Sequence, residues 1–247
     1  MVLLFRKLHS YLHLASVLFF FVLCYPVLWF FARNPARYFN QIAWCRRMIG
    51  WWSSAAVGIF FRFRYETPID WSKPHIICAN HTSTLDIATM VLLCPKGFSF
   101  MGKAELLNNP VTRMFFKTID IPLKRDSKIS GFRAFQQAKQ RLKEGKSVVI
   151  FPEGFISEEF PPRLHPFKNG PFKLAIEAQV PIVPVVIGNA WKIYWDQAAR
   201  FGSRPGVIRA TVLAPIETKQ LTLDAADGLR DEVHDRIGNQ WSDIVGL

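Results

Sequence analysis

The chain has 247 residues, half of them apolar, including 22 Phe and 8 Trp. That length holds one substantial domain and little else. A net charge of +12 calls for an anionic partner: nucleic acid, a phosphorylated substrate or an acidic lipid surface. The four cysteines, Cys24, Cys45, Cys78 and Cys94, sit in apolar runs without paired spacing, which excludes a disulfide frame and points to a reducing compartment. Cys78-x-x-His81 is half of a zinc pattern, and no second Cys or His pair completes it.

The first predicted element is apolar. Leu14 to Ala32 contains no charged residue, only a central Pro26, and is flanked by Arg6, Lys7, Arg33 and Arg37. At 1.5 Å per residue such a run just crosses a hydrocarbon layer of about 30 Å. No small-residue cleavage site follows it, which argues against a signal peptide. The next stretch, 35–61, mixes Trp44, Trp51 and Trp52 with Arg46 and Arg47, the composition of a helix lying among lipid headgroups. Residues 1–64 are therefore expected to form a membrane-anchoring helical hairpin, with Pro26 interrupting it. It either spans the bilayer or dips into one leaflet. A helix pair packed on a soluble domain is the competing reading. The basic excess then serves anionic lipid, and a nucleic-acid role is disfavoured because the cations are scattered.

Residues 65–247 alternate strand and helix signals. Pro74 to Ala79, Ser147 to Phe151 and Ile182 to Ile187 read as buried strands, and Val207 to Leu213 as a late edge strand. Helices are expected over Gly131 to Glu144, Phe172 to Ala178 and Asp224 to Trp241. The alternation predicts an α/β domain, a mixed and largely parallel sheet flanked by helices, behind the N-terminal two-helix anchor.

Asn80-His81-Thr82-Ser83-Thr84-Leu85-Asp86 carries the main chemical signal. It places an imidazole five residues before a carboxylate, directly after an apolar strand, where α/β folds put their chemistry. A histidine oriented by an acid makes a general base near neutral pH. Ser83-x-x-Asp86 equally fits a helix capping box, in which Asp86 only binds backbone N–H groups. Three further blocks follow. Lys124 and Arg125, with Lys103 ahead of them, form either a small cationic site or a solvated turn. Phe151-Pro152-Glu153-Gly154 makes a sharp strand-end turn whose Glu153 either binds a hydroxyl or caps the turn. Val180 to Val185 supplies core or the wall of an acyl groove.

Taken in order, Asn80-His81-(x4)-Asp86, Lys124-Arg125-Asp126, Phe151-Pro152-Glu153-Gly154 and the Val-Pro-Ile-Val-Pro run resemble the glycerolipid acyltransferase family, over residues 70 to 190. Pro166-Phe167-Lys168-Asn169-Gly170 is similar to the family's Phe-Lys-x-Gly segment. The resemblance implies an enzyme that moves a fatty acyl chain from acyl-CoA or acyl carrier protein to the sn-2 hydroxyl of 1-acyl-glycerol-3-phosphate, giving phosphatidic acid. It implies His81 as base, Asp86 as its partner, and Lys103, Lys124, Arg125, Glu153 and Gly154 as substrate-binding residues, with no metal or cofactor. It also implies residence at the membrane, on the cytoplasmic face of the inner membrane. One departure stands out: Phe155-Ile156-Ser157 replaces the family's Thr-Arg-Ser, leaving Arg163 to supply the missing charge. Another lysophospholipid or lyso-aminolipid acceptor, a hydrolase using the same pair on water, and a non-catalytic membrane scaffold are the alternatives.

Overall fold

A computed structural model describes residues 2–124, 126–195 and 202–245. Two helices come first, α1 (Val2–Ala32) and α2 (Phe39–Ala55). The rest alternates: β1 (Ile59–Tyr65), β2 (Ile76–Ala79), α3 (Leu85–Leu93), β3 (Phe98–Lys103), α4 (Pro110–Phe116), β4 (Ile121–Leu123) and α5 (Lys128–Lys143). Then follow β5 (Ser147–Ile150), α6 (Gly170–Ala178), β6 (Ile182–Ile187), α7 (Ala190–Ile193), β7 (Gly206–Val212) and α8 (Ala226–Val245). The strands make one seven-stranded sheet in the order β1-β7-β6-β2-β5-β3-β4. Every pairing is parallel except β6 with β7. The α/β architecture read from the alternation is therefore the observed one.

The strands β2, β5 and β6 run through the centre and are almost wholly buried, as their β-branched, unalternating sequences require of strands covered on both faces. One face carries Ile76, Cys78, Val148 and Ile182 against α5, α6 and α8. The other carries Ile77, Ala79, Val149 and Val183 against Leu85, Met90 and Val91 of α3. A third cluster, with Phe21 and Leu28 of α1, Ile42, Cys45 and Ile49 of α2 and Phe115 of α4, binds the first two helices to the domain.

Two expectations differ from the structure. Residues 59–64, expected within the anchor, join Tyr65 to form β1 at the outer edge of the sheet, so β7 is flanked on both sides and is not an edge strand. Only Ile59 of β1 is buried. Its alternation of Phe with Arg is that of a strand with one wet face, which composition alone does not separate from an interfacial helix. Second, α1 runs straight through Pro26 as one 31-residue helix. Packing of Phe21 and Leu28, one on each side of the proline, holds the segment helical across the missing hydrogen bond. The helix is long and apolar enough to cross a membrane, and Leu18, Phe19, Val22 and Leu23 are exposed along it.

Candidate active site

The parallel register between β2 and β5 sets Cys78 opposite Ile150. Three residues beyond each lie His81 and Glu153, so both arrive together at the carboxyl end of the sheet. There the Glu153 carboxylate accepts the His81 backbone N–H at 2.7 Å and the His165 backbone N–H at 2.9 Å. It bridges the loop before α3 to the loop before α6, and it is 1 % exposed. Burial raises its pKa to about 7 against the lowering effect of the two N–H donors. A side chain so enclosed holds the two loops together through its hydrogen bonds. This is the geometry of the turn-capping alternative.

His81 and Asp86 meet. The imidazole Nδ1 lies 3.1 Å from Asp86 Oδ2. The same oxygen accepts the backbone N–H groups of Thr82 at 2.6 Å and Ser83 at 2.8 Å. Both readings of Asp86 thus hold at once: it caps the start of α3 and it faces the ring. A carboxylate oxygen accepts only, so the imidazole donates Nδ1–H to it, and the lone pair is left on Nε2. Ser83 fixes the same loop from below, its Oγ donating to the Tyr194 carbonyl at 2.7 Å and accepting the Leu85 N–H at 3.2 Å. The ring lies flat on Phe151, centroids 4.0 Å apart and planes 13° apart. With its tautomer set by a buried acid and its plane set by an aromatic face, His81 has the geometry of a general base.

His81 forms part of the wall of a cavity of about 680 Å³. Ile49 and Gly50 of α2, Leu85 and Val91 of α3, and Phe100 and Phe115 make much of its lining, which is mainly apolar. A charged pair also lines it, Arg46 with Asp120. The Arg46 guanidinium, buried against the faces of Phe98 and Phe100, pairs with Asp120 at 2.8 Å. The size and apolar character suit an alkyl chain ending beside the histidine.

The cations divide. Lys103, at the end of β3, lines the cavity and is exposed. Lys124 is exposed and is not among the lining residues; its backbone N–H donates to Ser130 Oγ at 2.9 Å. Arg125 lies outside the described residues. Arg163 is exposed on the loop before α6, away from the cavity wall. Gly154 lines the cavity with φ +81°, and the Lys168 ammonium sits 3.1 Å from where a Cβ on Gly154 would stand. The left-handed backbone favours glycine there, and a Cβ would push the lysine end aside by a few tenths of an ångström. The Lys168 N–H donates to the Pro152 carbonyl at 2.9 Å, holding the cation over the turn. Lys168 carries no signal of a role in its Phe-Lys-x-Gly segment, because only the fold brings it to Gly154. Phe155 and Ile156, in place of a Thr-Arg pair, also line the cavity. The Val180 to Val185 run proves to be core: β6 is buried along its whole length and takes no part in the cavity.

Comparison with known proteins agrees with this arrangement. Residues 58–188 match the family model described as Acyltransferase. The chain is 30% identical over 174 residues to the 1-acyl-sn-glycerol-3-phosphate acyltransferase of Saccharomyces cerevisiae, covering 70% of this chain and 57% of that protein. It is 33% identical over 165 residues to 1-acyl-sn-glycerol-3-phosphate acyltransferase alpha of Homo sapiens, covering 66% and 56%. The chain thus spans little more than half the length of these relatives. In fold it is similar to the crystal structure of the 1-acyl-sn-glycerophosphate (LPA) acyltransferase of Thermotoga maritima, with a TM-score of 0.74 over 97% of both chains at 20% identity. On the match over more than half of its residues, the chain belongs to the glycerolipid acyltransferase family.

Proposed function

We propose that the protein is a membrane-bound acyltransferase that moves a fatty acyl chain from an acyl thioester to the sn-2 hydroxyl of 1-acyl-glycerol-3-phosphate. The observation that carries the reading is the His81–Asp86 pair, joined at 3.1 Å, at the wall of an apolar cavity large enough for a fatty chain. Relatives named 1-acyl-sn-glycerol-3-phosphate acyltransferases support it. Nε2 of His81 takes the proton of the acceptor hydroxyl as its oxygen attacks the thioester carbonyl. Asp86 holds the tautomer and stabilises the imidazolium that forms, and the thiolate of the donor leaves, taking that proton. The acceptor hydroxyl is itself the nucleophile, so no enzyme-bound acyl group is required.

Lys103, which lines the cavity, and Lys168, outside the lining but with its ammonium beside Gly154, are proposed to hold the acceptor phosphate. The long apolar helix α1, exposing Phe19 and Leu23, supports a membrane location; the donor is proposed to be acyl-CoA or acyl carrier protein. The apolar Ile156 in the cavity wall favours a second reading of the acceptor, another lysophospholipid with a different headgroup. The deciding experiment offers purified protein a set of lysolipids with one acyl thioester and identifies products by mass. Phosphatidic acid formation supports the first acceptor. Acylation of another lysolipid in its place supports the second. Thioester consumption with no acceptor present removes acyl transfer in favour of hydrolysis.

A further inference from the structure

The start of α5 is unlike the rest of that helix. Ile129 and Phe132, three residues apart on one side, are 67% and 66% exposed. Every exposed residue of α5 beyond Phe132 is polar: Arg133, Gln136, Gln137, Gln140 and Lys143. The helix buries Ala134, Ala138 and Leu142 on its other side, so the exposed pair adds nothing to the core. Exposed cations surround the pair, Lys124 and Lys128 before it and Arg133 after it, with Asp126 the one exposed acid between Lys124 and Arg133 among the described residues.

The position of this tip gives it meaning. It follows β4, whose Leu123 pairs with Lys103 of β3, and both of these residues line the cavity that contains His81. The link is firm: Ser130 Oγ accepts the Lys124 N–H at 2.9 Å, and Ser127 caps the helix by accepting the Ser130 N–H. Large apolar side chains framed by cations are the chemistry of a segment seated at the headgroup boundary of an anionic bilayer, apolar groups a few ångströms inside and cations at the phosphates. An uncharged protein partner would leave the three cations unanswered.

We infer that the tip of α5, through Ile129 and Phe132 with Lys124, Lys128 and Arg133, is a second membrane contact, separate from α1, that seats the β3–β4 side of the cavity on an anionic lipid surface. Lipid substrates then reach the cavity by lateral movement beside this tip. The inference needs the membrane placement of α1 and not the acyl transfer proposed above.

The test uses the full chain carrying Cys24→Ser, since Cys45, Cys78 and Cys94 are buried. Single cysteines are introduced by Phe132→Cys, by Phe19→Cys on α1, and by Lys143→Cys at the far end of α5, and each is labelled with an environment-sensitive fluorophore. The labelled proteins are reconstituted into vesicles of phosphatidylcholine and phosphatidylglycerol with and without lipids bearing a quencher at the top of the acyl chain. The expected result is emission at positions 132 and 19 cut roughly twofold or more, with position 143 unaffected, and weaker quenching at 132 in vesicles of phosphatidylcholine alone. Quenching at 19 without quenching at 132 overturns the second contact and leaves the anchor standing. Absence of quenching at both removes the contact and the anchor together. Shielding of position 132 from aqueous iodide without quenching by lipid overturns the lipid contact and assigns the tip to a contact between copies of the chain.

Discussion

Glu153 holds His81 by its backbone, accepting that N–H at 2.7 Å through one carboxylate oxygen while the other takes the His165 N–H. His81 is thus located by two acids acting on different parts of it, Asp86 on the ring and Glu153 on the main chain. Glu153→Gln keeps the shape but turns one acceptor into an NH2 group facing an N–H donor. Turnover is expected to fall by about one to two orders of magnitude through misplacement of the ring, with little change in either KM. Stopped-time assays on the purified variant check this; a loss confined to acceptor KM would mean that Glu153 binds substrate after all.

The same carboxyl sets a pH dependence of stability. Burial raises it to about 7 in the folded chain, above its ordinary 4.5. The folded state therefore holds this proton more tightly than the unfolded state. Its contribution to stability is complete below about pH 4.5 and is lost as pH rises towards 7. Denaturant midpoints followed from pH 5 to 8 are expected to fall more steeply in the parent than in Glu153→Gln. Parallel curves would show that Glu153 carries no such shift.

Asp86→Asn tests the orientation of the ring. The amide oxygen can still accept the Thr82 and Ser83 N–H groups, so the start of α3 survives, but the negative charge that supports an imidazolium is gone. The expected loss in kcat is about 10²–10⁴-fold, and Asp86→Ala adds a stability cost of about 1–3 kcal/mol from the orphaned N–H donors. His81→Ala is expected to abolish transfer with its melting temperature close to the parent. Near-parent turnover in a purified His81→Ala preparation would end the mechanism.

How far the sequence discloses this site depends on how far apart its parts lie. His81 and Asp86 share one loop, so their spacing alone announces the pair, and the same spacing reads correctly as a cap. The strand-end placement of Glu153 was also legible, since a buried β-branched run precedes it. That the carboxylate points at the His81 main chain was not, because it rests on the β2–β5 register. Lys168 is fourteen residues from Gly154, and nothing in the intervening stretch predicts that its ammonium comes to rest over that glycine. Strand β1 was missed because alternating Phe and Arg has the composition of a lipid-facing helix.

Lys168 makes a sharper claim about the acceptor. Lys168→Met keeps the bulk of the side chain over Gly154 and removes the charge. If the ammonium holds the phosphate, acceptor KM rises about tenfold or more, in line with the loss of one hydrogen bond to a charged group, while donor KM stays put. Lys168→Arg restores part of it. An equal rise in both KM values would assign the residue to the shape of the loop.

Arg46 was read as a cation lying at the headgroups, and the fold places it inside. Its guanidinium donates to Asp120 at 2.8 Å and to the Phe98 carbonyl at 2.9 Å, and Asp120 also accepts the Phe100 N–H at 2.8 Å. The pair thereby ties α2 to the residue before β4 across 74 residues of chain, and the Phe98 carbonyl ties it to the start of β3, contacts no local pattern reveals. Removing one member strands the other in an apolar surround, so Arg46→Met is expected to cost about 3–5 kcal/mol. Replacing both, as Arg46→Met with Asp120→Leu, removes the stranded charge and is expected to recover much of that loss, short of the Phe100 N–H left without its acceptor. A double-mutant cycle by chemical denaturation reads the coupling directly. Additive losses would show that the ion pair does not bind the helix to the sheet, and that aromatic packing around Arg46 carries the joint alone.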